Sequence, residues 1–514
     1  MAEKLVETDI IIVGAGPAGL ALANYLGLYG IGAAVIERNQ GTVDEPRAVS
    51  IDDESLRSMQ TLGLVEDIIP RTLPGYGARY YTPGQREFAR VKPTTLEFGH
   101  PRRSAFHQPE LEATLLKGLS RFPKIKILFG HNFEKLFQEG DKVEAIVSEP
   151  GGEKIKISGQ FLAGCDGGRS SVRQAIGSQL VGSSFEERWL VLDTINDFDH
   201  TPDSVAHCDH RRPAITLPGF GGTRRWEFVV HPGENADDFL KEPKIKELLH
   251  PYIGDKPIEV VRRVVYTFQA RVADSWQNGR VFLLGDAAHL TPPYAGQGLN
   301  SGQRDAANFA WKVAKVVKGQ FNSALMNSYQ LERKEHAWAL IKMAIQIGWV
   351  MVPRNFFHTY GQAIFFRLAG FIPRFRDYIM GLKFKPVPRF TEGFLCPDGL
   401  SNKKTLVGRM LPQPLVAGVD EKLIRLDEQL GIDFSFLWVS PELRDPFGSL
   451  SLGNFGLPEA KKVILPESSA THIAFRPYKG KILLIRPDRY VAAAFDPNDF
   501  EAQRKICQML AGYI

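Results

Sequence analysis

Residues 9–37 read DIIIVGAGPAGLALANYLGLYGIGAAVIE, and this stretch establishes the fold class of the chain. The β-branched run Ile10–Val13 predicts a strand that is buried on both faces of a parallel sheet. An Ala- and Leu-rich helix should follow to about Gly30, and residues 33–36 should form a second strand. The order of strand, glycine-rich turn, helix and strand predicts an α/β fold that contains a parallel sheet.

The turn between the first strand and the helix has the glycine spacing of a dinucleotide-binding site. We expect Gly14 to make the tight turn, Gly16 to let a pyrophosphate approach and Gly19 to let the helix pack against the strand. Glu37 ends the second strand, where its carboxylate can accept hydrogen bonds from ribose hydroxyl groups. This order of elements predicts a dinucleotide site, and a glycine-rich turn in an unrelated α/β fold is the alternative.

Two further loops predict contacts with a ligand larger than a nucleotide alone. Residues 161–173, FLAGCDGGRSSVR, combine a strand, an acid, paired glycines and helix-capping serines. Residues 285–311, GDAAHLTPPYAGQGLNSGQRDAANFAW, run from a buried strand into a helix. A helix start beside glycine offers free N–H groups to an anion. Because the chain has one dinucleotide fingerprint, these loops favour FAD over NAD as the bound nucleotide.

Composition indicates a globular protein of two or three domains. The chain has 514 residues, 44% of them hydrophobic, and its basic residues are scattered, with a net charge of +5. We therefore expect no nucleic-acid partner. The most apolar helical stretch, residues 337–352, contains Lys342 and Gln346 and is too short to span a bilayer. With no room for a signal peptide before the first strand, we expect a cytoplasmic protein without a membrane partner.

The cysteines predict neither a disulfide framework nor a metal site. The four of them show no paired or ligand-like spacing and stand at positions 165, 208, 396 and 507. This pattern fits a reducing compartment.

The three motifs together resemble the single-component FAD-dependent aromatic hydroxylases, the p-hydroxybenzoate hydroxylase-like flavoprotein monooxygenases. That family carries the glycine fingerprint, a DG motif that Asp166-Gly167 matches, and a GD motif that Gly285-Asp286 matches. The chain is most similar to the 3-(3-hydroxyphenyl)propionate hydroxylase group. This likeness is carried by the segments CDHRRP (208–213), RWEF (225–228), YTF (266–268), ARVA (270–273) and GRVF (279–282).

The resemblance implies an NAD(P)H- and FAD-dependent monooxygenase that hydroxylates a substituted phenol, such as a hydroxyphenylpropionate-type compound, through a flavin C4a-hydroperoxide. FAD would be tightly bound, NADPH or NADH would be a transient reductant, and molecular oxygen would be the co-substrate. A nitro- or halophenol or a polyketide is the alternative substrate. A non-catalytic flavin-binding module is the alternative from another class, and the shaped loop at Pro292 and Pro293 argues against it.

The resemblance also implies which residues contact the cofactor. Glu37 and Arg38 would hold the adenosine end of FAD. Arg47 and Gln108 would reach its flavin side. Asp286 would contact the ribityl chain or the pyrophosphate.

The loop that contains Pro292 and Pro293 is expected at the reacting edge of the flavin. Its two prolines make it rigid, and the resemblance places Pro293 beside the reacting oxygen. The backbone of Gly298, Leu299 and Asn300 would face the N1/O2 edge. N–H groups at a helix start stabilise the negative charge of reduced flavin because they need little reorganisation.

A mixed sheet that covers the substrate is predicted from three strands, at residues 190–194, 204–218 and 224–231. With Pro293, His210 and Arg211 are the candidate catalytic residues, because a base near the phenol helps hydroxylation and an arginine can pair with a carboxylate. For each of these side chains a solvent-facing or structural role is the alternative. The candidate substrate contacts, with the same alternative, are His207, Thr216 and Tyr266.

The predicted organisation is a Rossmann-like FAD domain with an inserted mixed-sheet substrate domain, followed by a thioredoxin-like C-terminal domain. Residues 1–182 and 271–395 would form the FAD domain and its helices, and residues 183–270 the substrate-binding sheet. Residues 403–514 would form the C-terminal domain by resemblance. It lacks a redox cysteine pair, which leaves structural support or dimerisation as its role.

The helices predicted over residues 328–380 carry many aromatic side chains and are interrupted at Pro353 and Pro373. Apolar residues recur at helical spacing, which favours a face packed in the core. A homodimer surface is the alternative.

Overall fold

Helices and strands alternate through a mixed α/β molecule in which two large sheets form the walls of the candidate site. The computed structural model describes residues 4–197, 199–418, 422–439, 447, 455–465 and 473–514. Smaller sheets join Lys4–Glu7 with Lys154–Gly159, Lys142–Ser148 and Asn132–Glu139, and Ser50–Asp52 with Arg103–Phe106 and Thr72–Pro74.

The parallel sheet contains the predicted first strand near its centre. In spatial order its strands are Gln277–Asn278, Val281–Leu283, Phe161–Gly164, Ile10–Val13, Ala33–Glu37 and Ile125–Phe129. All neighbouring pairs are parallel except the one that involves the short strand Gln277–Asn278. The carboxyl ends of five strands therefore meet at one edge. The side chains of residues 10–13 and 33–36 are buried, which confirms the two predicted strands.

Two helices pack closely against each other and against this sheet. The helix Pro17–Leu28 follows the glycine turn, as predicted, and the helix Gly298–Val317 follows the proline loop. Their contact depends on small residues, since a Cβ atom added at Gly302 would lie 3.3 Å from the Cβ atom of Ala18. Four further α-helices between residues 50 and 180 are Asp53–Thr61, Val65–Ile68, Gln108–Gly118 and Ser171–Ala175.

The large sheet forms the second wall of the candidate site. In spatial order its strands are His289–Leu290, Glu259–Ala273, Leu180–Ile195, Arg224–Val230, Ala214–Pro218, Ser204–His207, Ala78–Tyr81 and Glu87–Val91. The helices Ala236–Phe239 and Glu242–Ile253 cover one of its faces.

The structure corrects the sequence prediction for this sheet in two places. The single strand expected over residues 204–218 is two strands, because the Arg211 N–H bonds to the Asp209 carboxylate at 2.9 Å and Pro213 lacks an N–H group. The two strands at one edge, Ala78–Tyr81 and Glu87–Val91, lie far earlier in the chain than the predicted insertion, and the strand at the other edge, His289–Leu290, lies after it.

The predicted helical region forms three helices, Asn327–Met351, Phe356–Ala369 and Pro373–Met380, with breaks at the two predicted prolines. The predicted core face is wrong for most of their aromatic residues, because the second helix buries only Thr359, Gln362 and Ala363. We call the exposed set the aromatic face: Trp349, Phe356, Phe357, Ile364, Phe365, Leu368, Phe371 and Ile372. Among the described residues, no helix is both long and apolar enough to cross a bilayer.

The C-terminal part of the chain has a sheet of its own. In spatial order its strands are Lys461–Leu465, Ser435–Val439, Lys481–Ile485 and Val491–Phe495, and the helix Phe500–Ala511 follows them. The two late strands confirm the prediction. The short strand expected at residues 473–475 is wrong, since these residues belong to the 3-10 helix Ile473–Tyr478, in which Pro477 removes a ladder donor.

Buried ion pairs fasten this C-terminal part to the rest of the molecule. Arg486 donates two hydrogen bonds to Glu332, at 2.8 and 2.7 Å, and two to Asp488, at 2.9 and 2.6 Å. Arg57 makes a two-pronged contact with Asp427 at 2.8 and 2.6 Å. Because these groups are buried, each charge depends on its partner across the contact.

Candidate active site

A cleft of about 1060 Å³ lies between the carboxyl edge of the parallel sheet and the large sheet. Its volume is at the upper end of the range for ligand pockets, which fits a site for a cofactor and a second small molecule. The three motifs found in the sequence all line it, although they are more than a hundred residues apart in the chain.

The three glycines of the first turn differ in their surroundings. Gly14 has a φ of +105°, and a Cβ atom there would lie 2.4 Å from the carbonyl oxygen of Cys165. A Cβ atom at Gly19 would lie 2.0 Å from the carbonyl oxygen of Gly14, so this glycine allows the helix to pack on the strand. A Cβ atom at Gly16 would have no other atom within 4 Å, and this position lines the open cleft. The cleft side is therefore free for a ligand.

Glu37 and Arg38 line the same end of the cleft. The Glu37 carboxylate accepts hydrogen bonds from the Ala15 N–H at 2.9 Å and from the side chain of Asn39 at 2.7 Å. These bonds hold it in place beside the glycine turn. A carboxylate has about four acceptor positions, so capacity remains for ribose hydroxyl groups.

The DG turn is a capped helix start that also braces the GD turn. The Asp166 carboxylate accepts from the Ser170 hydroxyl at 2.5 Å and from the Val172 N–H at 3.1 Å. Arg173 donates to the carbonyl oxygens of Gly168 at 2.8 Å and Ala287 at 3.0 Å. The helix after the DG turn is thereby tied to both loops of the cleft.

The GD turn rests on a buried aspartate that sequence reasoning missed. Asp305 accepts from the Gly285 N–H at 3.0 Å, from His289 at 2.8 Å and from Arg333 at 2.8 Å. Burial disfavours its charge, but His289 and Arg333 outweigh this and lower the pKa of Asp305 to about 2. Asp286 itself extends into the cleft, where none of the described residues donates a hydrogen bond to its carboxylate.

Asn300 locks the proline loop to the neighbouring strand. Its side-chain oxygen accepts from the Asp52 N–H at 3.0 Å and the Ser55 hydroxyl at 2.7 Å. Its amide group donates to the carbonyl oxygens of Ser50 and Gly296, at 3.1 and 2.6 Å. The Asn300 side chain is thus structural, while the backbone of the same helix start faces the cleft.

The start of the long helix leaves backbone donors available to a ligand. The N-cap residue, Gln297, makes no side-chain capping bond. Gly298 and Leu299 line the cleft together with Pro293. The first N–H groups of a helix have no partner within it, so this edge favours negative charge.

Gln108, at the start of the helix Gln108–Gly118, contacts the loop that carries Arg47, but the two residues differ in what they offer to the cleft. The Gln108 oxygen accepts from the N–H groups of Arg47 and Ala48, at 3.2 and 2.6 Å, and its amide donates to Glu112 at 2.7 Å. Gln108 therefore fixes the loop. The exposed Arg47 guanidinium group lines the cleft and has no hydrogen-bond partner among the described residues.

These features fit FAD. A turn in which only glycine fits, an uncapped helix start, a free guanidinium group and a carboxylate at the strand end match the pyrophosphate, flavin and ribose of a dinucleotide. The lining of the cleft therefore fits FAD.

Of the candidate substrate contacts, Tyr266 is brought to the cleft. Its hydroxyl accepts from Arg262 at 2.5 Å, and the residue is 39% exposed. His207 and Thr216 lie on the other face of the sheet. The His207 ring packs 4.5 Å from the Tyr252 ring, and the Thr216 hydroxyl accepts from Arg224 at 3.1 Å.

His210 and Arg211 are not brought to the cleft. The His210 ring contacts the Thr359 hydroxyl at 3.2 Å and packs against Phe356. The Arg211 side chain is 70% exposed and pairs with Asp209 at 2.7 Å. His210 and Arg211 lie in the turn between the strands Ser204–His207 and Ala214–Pro218, whereas the sequence prediction placed them within one strand.

Two arginines at one end of the cleft were missed by sequence reasoning. The Arg103 guanidinium group lies 4.2 Å from the centroid of the Tyr76 ring and donates to its hydroxyl at 2.9 Å. Arg102 pairs with Glu97 at 3.5 Å, and its buried Nε atom lies 4.0 Å from the Asp53 carboxylate without a hydrogen-bond partner among the described residues. Both arginines line the cleft and favour an anionic group there.

An acidic cluster lies beside Lys385, a residue that lines the cleft, and is paired with two cations. Asp52 and Glu54 contact Lys385 at 2.9 and 2.7 Å, and Glu54 also contacts Arg304 at 2.6 Å. Asp53 completes the group. Since two cations occupy its carboxylate oxygens, the cluster is a salt-bridge network in this arrangement.

The chain matches the family model described as FAD binding domain over residues 7–344. It is 37% identical over 520 aligned residues to a 3-(3-hydroxy-phenyl)propionate/3-hydroxycinnamic acid hydroxylase of Klebsiella pneumoniae subsp. pneumoniae. That alignment covers 96% of this chain and 93% of the relative.

Solved structures with low sequence identity share the fold over nearly the whole chain. The flavin-dependent monooxygenase PieE, solved in complex with FAD and substrate, superposes with a TM-score of 0.84 at 20% identity and covers 98% of this chain and 99% of its own. Aklavinone-11 hydroxylase, solved with FAD and aklavinone, has a TM-score of 0.81 at 22% identity and covers 98% of both chains.

Proposed function

Since the chain belongs to the FAD binding domain family and is a FAD-dependent aromatic hydroxylase, we propose that its substrate is a phenol with a short carboxylate side chain. The observation that carries this proposal is the 37% identity, over 96% of the chain, with a hydroxylase named for such acids. NADH or NADPH is the reductant, and molecular oxygen is the co-substrate.

Arg102 and Arg103 support the proposal that the substrate carries a carboxylate. A substrate carboxylate that enters a buried cleft must be paired, and a guanidinium group offers it two parallel hydrogen bonds. Arg103 is held by Tyr76 and lines the cleft, so it is the proposed anchor. Tyr266 is the proposed contact from the large sheet.

We propose the following contacts with FAD, which would supply the redox and oxygen chemistry when bound. Gly14, Gly16 and the helix start at Pro17 receive the pyrophosphate, and Glu37 and Arg38 hold the adenosine end. Further contacts come from Arg47, Asp286 and the backbone at Gly298 and Leu299. Gly19, Gln108 and Asn300 act by shaping the loops.

These residues do three things for the reaction. The helix start beside Pro293 stabilises negative charge without reorganisation, since its N–H groups are fixed. The large sheet and the loops enclose the aromatic ring and exclude water. Arg103 pairs with the substrate carboxylate and thereby orients the aromatic ring.

A substrate panel tests the proposal. We expect 3-(3-hydroxyphenyl)propionate and 3-hydroxycinnamate to stimulate NADH or NADPH oxidation by the FAD-loaded enzyme, with a hydroxylated product. The matched compound 3-ethylphenol, which lacks the carboxylate, should have a KM at least tenfold higher. Arg103→Gln should raise the KM for the acids and leave that for 3-ethylphenol unchanged. Preference for 4-nitrophenol or for a polyketide over the acids would overturn the substrate assignment.

We propose that residues 1–182 and 271–395 form the FAD domain, 183–270 most of the substrate sheet, and 403–514 a thioredoxin-like domain. The parallel sheet contains strands from residues 1–182 and from residues 271–395, which supports the assignment of both segments to one FAD domain. A parallel strand pair extended by two antiparallel strands and a final helix supports the thioredoxin-like assignment. A cytoplasmic location fits the spacing of the four cysteines in the sequence, which has no Cys-x-x-Cys pair.

We also propose that the aromatic face joins two copies of this chain. Its eight large side chains include Phe357 and Phe371, which are 84% and 82% exposed. At roughly 100 Å² each they expose about 800 Å², more than the largest apolar patch of most monomers and about what each partner of a standard interface buries. A second copy offers the same face by two-fold symmetry.

Light scattering tests this contact. We expect the wild-type enzyme to be a dimer and the double variant Phe357→Ser/Phe371→Ser to be a monomer with unchanged FAD content. The double variant Leu415→Ser/Leu423→Ser, at exposed positions outside the face, is the control. A monomeric wild-type enzyme that binds lipid vesicles through the same phenylalanines would assign the face to a membrane surface instead.

A further inference from the structure

The large sheet presents a buried carboxyl group to the cleft. Glu227 lies in the strand Arg224–Val230, is 6% exposed and lines the cleft. Its neighbours in the strand, Trp226 and Phe228, pack against the helices on the opposite face of the sheet. Because successive side chains of a strand point to opposite faces, Glu227 faces the cleft.

Glu227 has apolar surroundings in this wall. Its cross-strand partners are Val191 and Ile215, which also line the cleft. None of the described residues donates a hydrogen bond to its carboxylate. A buried carboxyl group without a partner costs stability, so a structural role does not explain why it is there.

The nearest charged groups are engaged with one another. Arg225 contacts Asp193 at 2.7 Å and also donates to the carbonyl oxygens of Pro46 and Arg47. Arg262 contacts Asp193 at 3.1 Å. The other ionisable groups that line the cleft near this wall include Arg47 and Tyr266. Among the described side chains of this wall, Glu227 is therefore a carboxyl group that remains available to a ligand.

The environment adjusts the proton affinity of Glu227. Burial raises its pKa to about 7; Arg225 pulls the pKa down, and Asp193 pushes it up. A group that titrates near neutral pH accepts a proton in one step and returns it in a later one.

We propose that Glu227 is the proton acceptor for the phenolic hydroxyl group of the substrate. The inference rests on the proposed function, because it needs a phenol in the cleft. The O–H bond of the phenol breaks, a new O–H bond forms on the Glu227 carboxylate, and the electron pair stays on the phenolic oxygen. That electron density activates the ring carbons ortho and para to the oxygen. After hydroxylation, the proton returns from Glu227 to the product oxygen, which restores the base.

The variant Glu227→Gln tests this role in the FAD-loaded enzyme with 3-(3-hydroxyphenyl)propionate. Amide and carboxylate have nearly the same shape, so we expect the variant to bind FAD and substrate within threefold of wild type. Hydroxylation should fall about a hundredfold, within the range for loss of a general base. NAD(P)H oxidation should continue with release of hydrogen peroxide. In wild type kcat/KM should rise with pH through about 7, and this limb should disappear in the variant.

Two comparisons separate this role from a structural one. Glu227→Asp keeps the carboxylate and should recover part of the activity together with the pH limb. Glu259→Gln removes an exposed carboxylate from the same sheet and should change nothing. Full hydroxylation and an unchanged pH profile in Glu227→Gln would overturn the inference. Failure of wild type to hydroxylate any phenol would instead overturn the proposed function.

Discussion

At the residue scale, the three fingerprint glycines show that one motif serves two purposes. Gly14 and Gly19 are required by the protein itself, because added side-chain atoms there would collide with backbone carbonyl groups. At Gly16 the protein itself leaves room for a side chain, since the space beside it is open, so we attribute this glycine to the FAD contact proposed above. The sequence motif alone does not distinguish these roles, whereas the geometry does.

Alanine substitutions should separate the two roles. Gly16→Ala should leave the melting temperature of the FAD-free protein within about 2 °C of wild type and weaken FAD binding at least tenfold. Gly19→Ala should lower the melting temperature of the FAD-free protein, because the new Cβ atom overlaps the Gly14 carbonyl oxygen. Thermal unfolding and flavin titration measure both effects. Equal stability losses in the two variants would contradict the distinction.

Glu227 should also leave a signature in stability. Its pKa of about 7 is above that of an exposed glutamate, so the folded state loses stability as pH rises from about 4.5 to 7. Glu227→Gln removes this penalty, which amounts to about 3 kcal/mol above pH 7. We expect the FAD-free variant to be more stable than wild type at pH 8 and equal to it at pH 4.5. Urea unfolding at both pH values measures this, and a variant less stable at pH 8 would contradict it.

At the element scale, the start of the long helix Gly298–Val317 is the most constrained part of the cleft. Asn300 is buried, and its four hydrogen bonds reach the strand Ser50–Asp52, Ser55 and the proline loop. These bonds fix where the free N–H groups of the helix start point. The position of the helix start thus depends on residues some 250 positions away in the chain.

Asn300→Ala should release this helix start. Loss of the buried partners leaves unsatisfied groups that cost about 1–3 kcal/mol, and we expect a lower melting temperature together with at least tenfold weaker FAD binding. Asn308→Ala, in the same helix but bonded to Glu332 and Asp488, is the control and should lower stability without this loss of FAD affinity. Comparable FAD binding in the two variants would argue against the proposed role of Asn300.

At the scale of the whole molecule, a buried charge network joins the C-terminal part to the helices of the FAD-binding part. Glu332 contacts Arg486, Lys312 and Asn308 within 2.8 Å. Burial disfavours its charge, but Arg486 and Lys312 outweigh burial and lower the pKa of Glu332 to about 2. Its contribution to stability is therefore complete above about pH 4.5 and is lost as the pH falls toward 2.

Glu332→Gln should loosen the C-terminal part. Arg486 and Lys312 would remain buried with too little negative charge, at a cost of about 3–5 kcal/mol. We expect lower stability at pH 7 and faster proteolysis after residue 403, with the difference from wild type shrinking below pH 4. Glu335→Gln, at an exposed neighbouring position whose carboxylate contacts Thr391, is the control. Unchanged proteolysis in Glu332→Gln would show that the contact does not depend on this network.

Local rules of sequence were sufficient to predict the parallel sheet, the glycine turn, the helix breaks at the two prolines and the class of cofactor. Glycine stands where a side chain would collide, β-branched runs form buried strands, and proline ends a helix. The likeness of the three motifs to known hydroxylases is equally local, because each motif is a short run of neighbouring residues.

Long-range packing, in contrast, determines which side chains of the large sheet face the cleft. A strand alternates its side chains, so one misplaced turn moves every neighbour to the other face. His210 and Arg211 lie away from the cleft because they are in the turn. His207 and Thr216 lie away from it because their side chains are on the opposite face of the sheet, whereas Glu227 is on the cleft face. Long-range packing also decides the exposure of the aromatic face. Helical spacing predicts that a helix has an apolar face, but it does not determine whether another part of the protein covers that face.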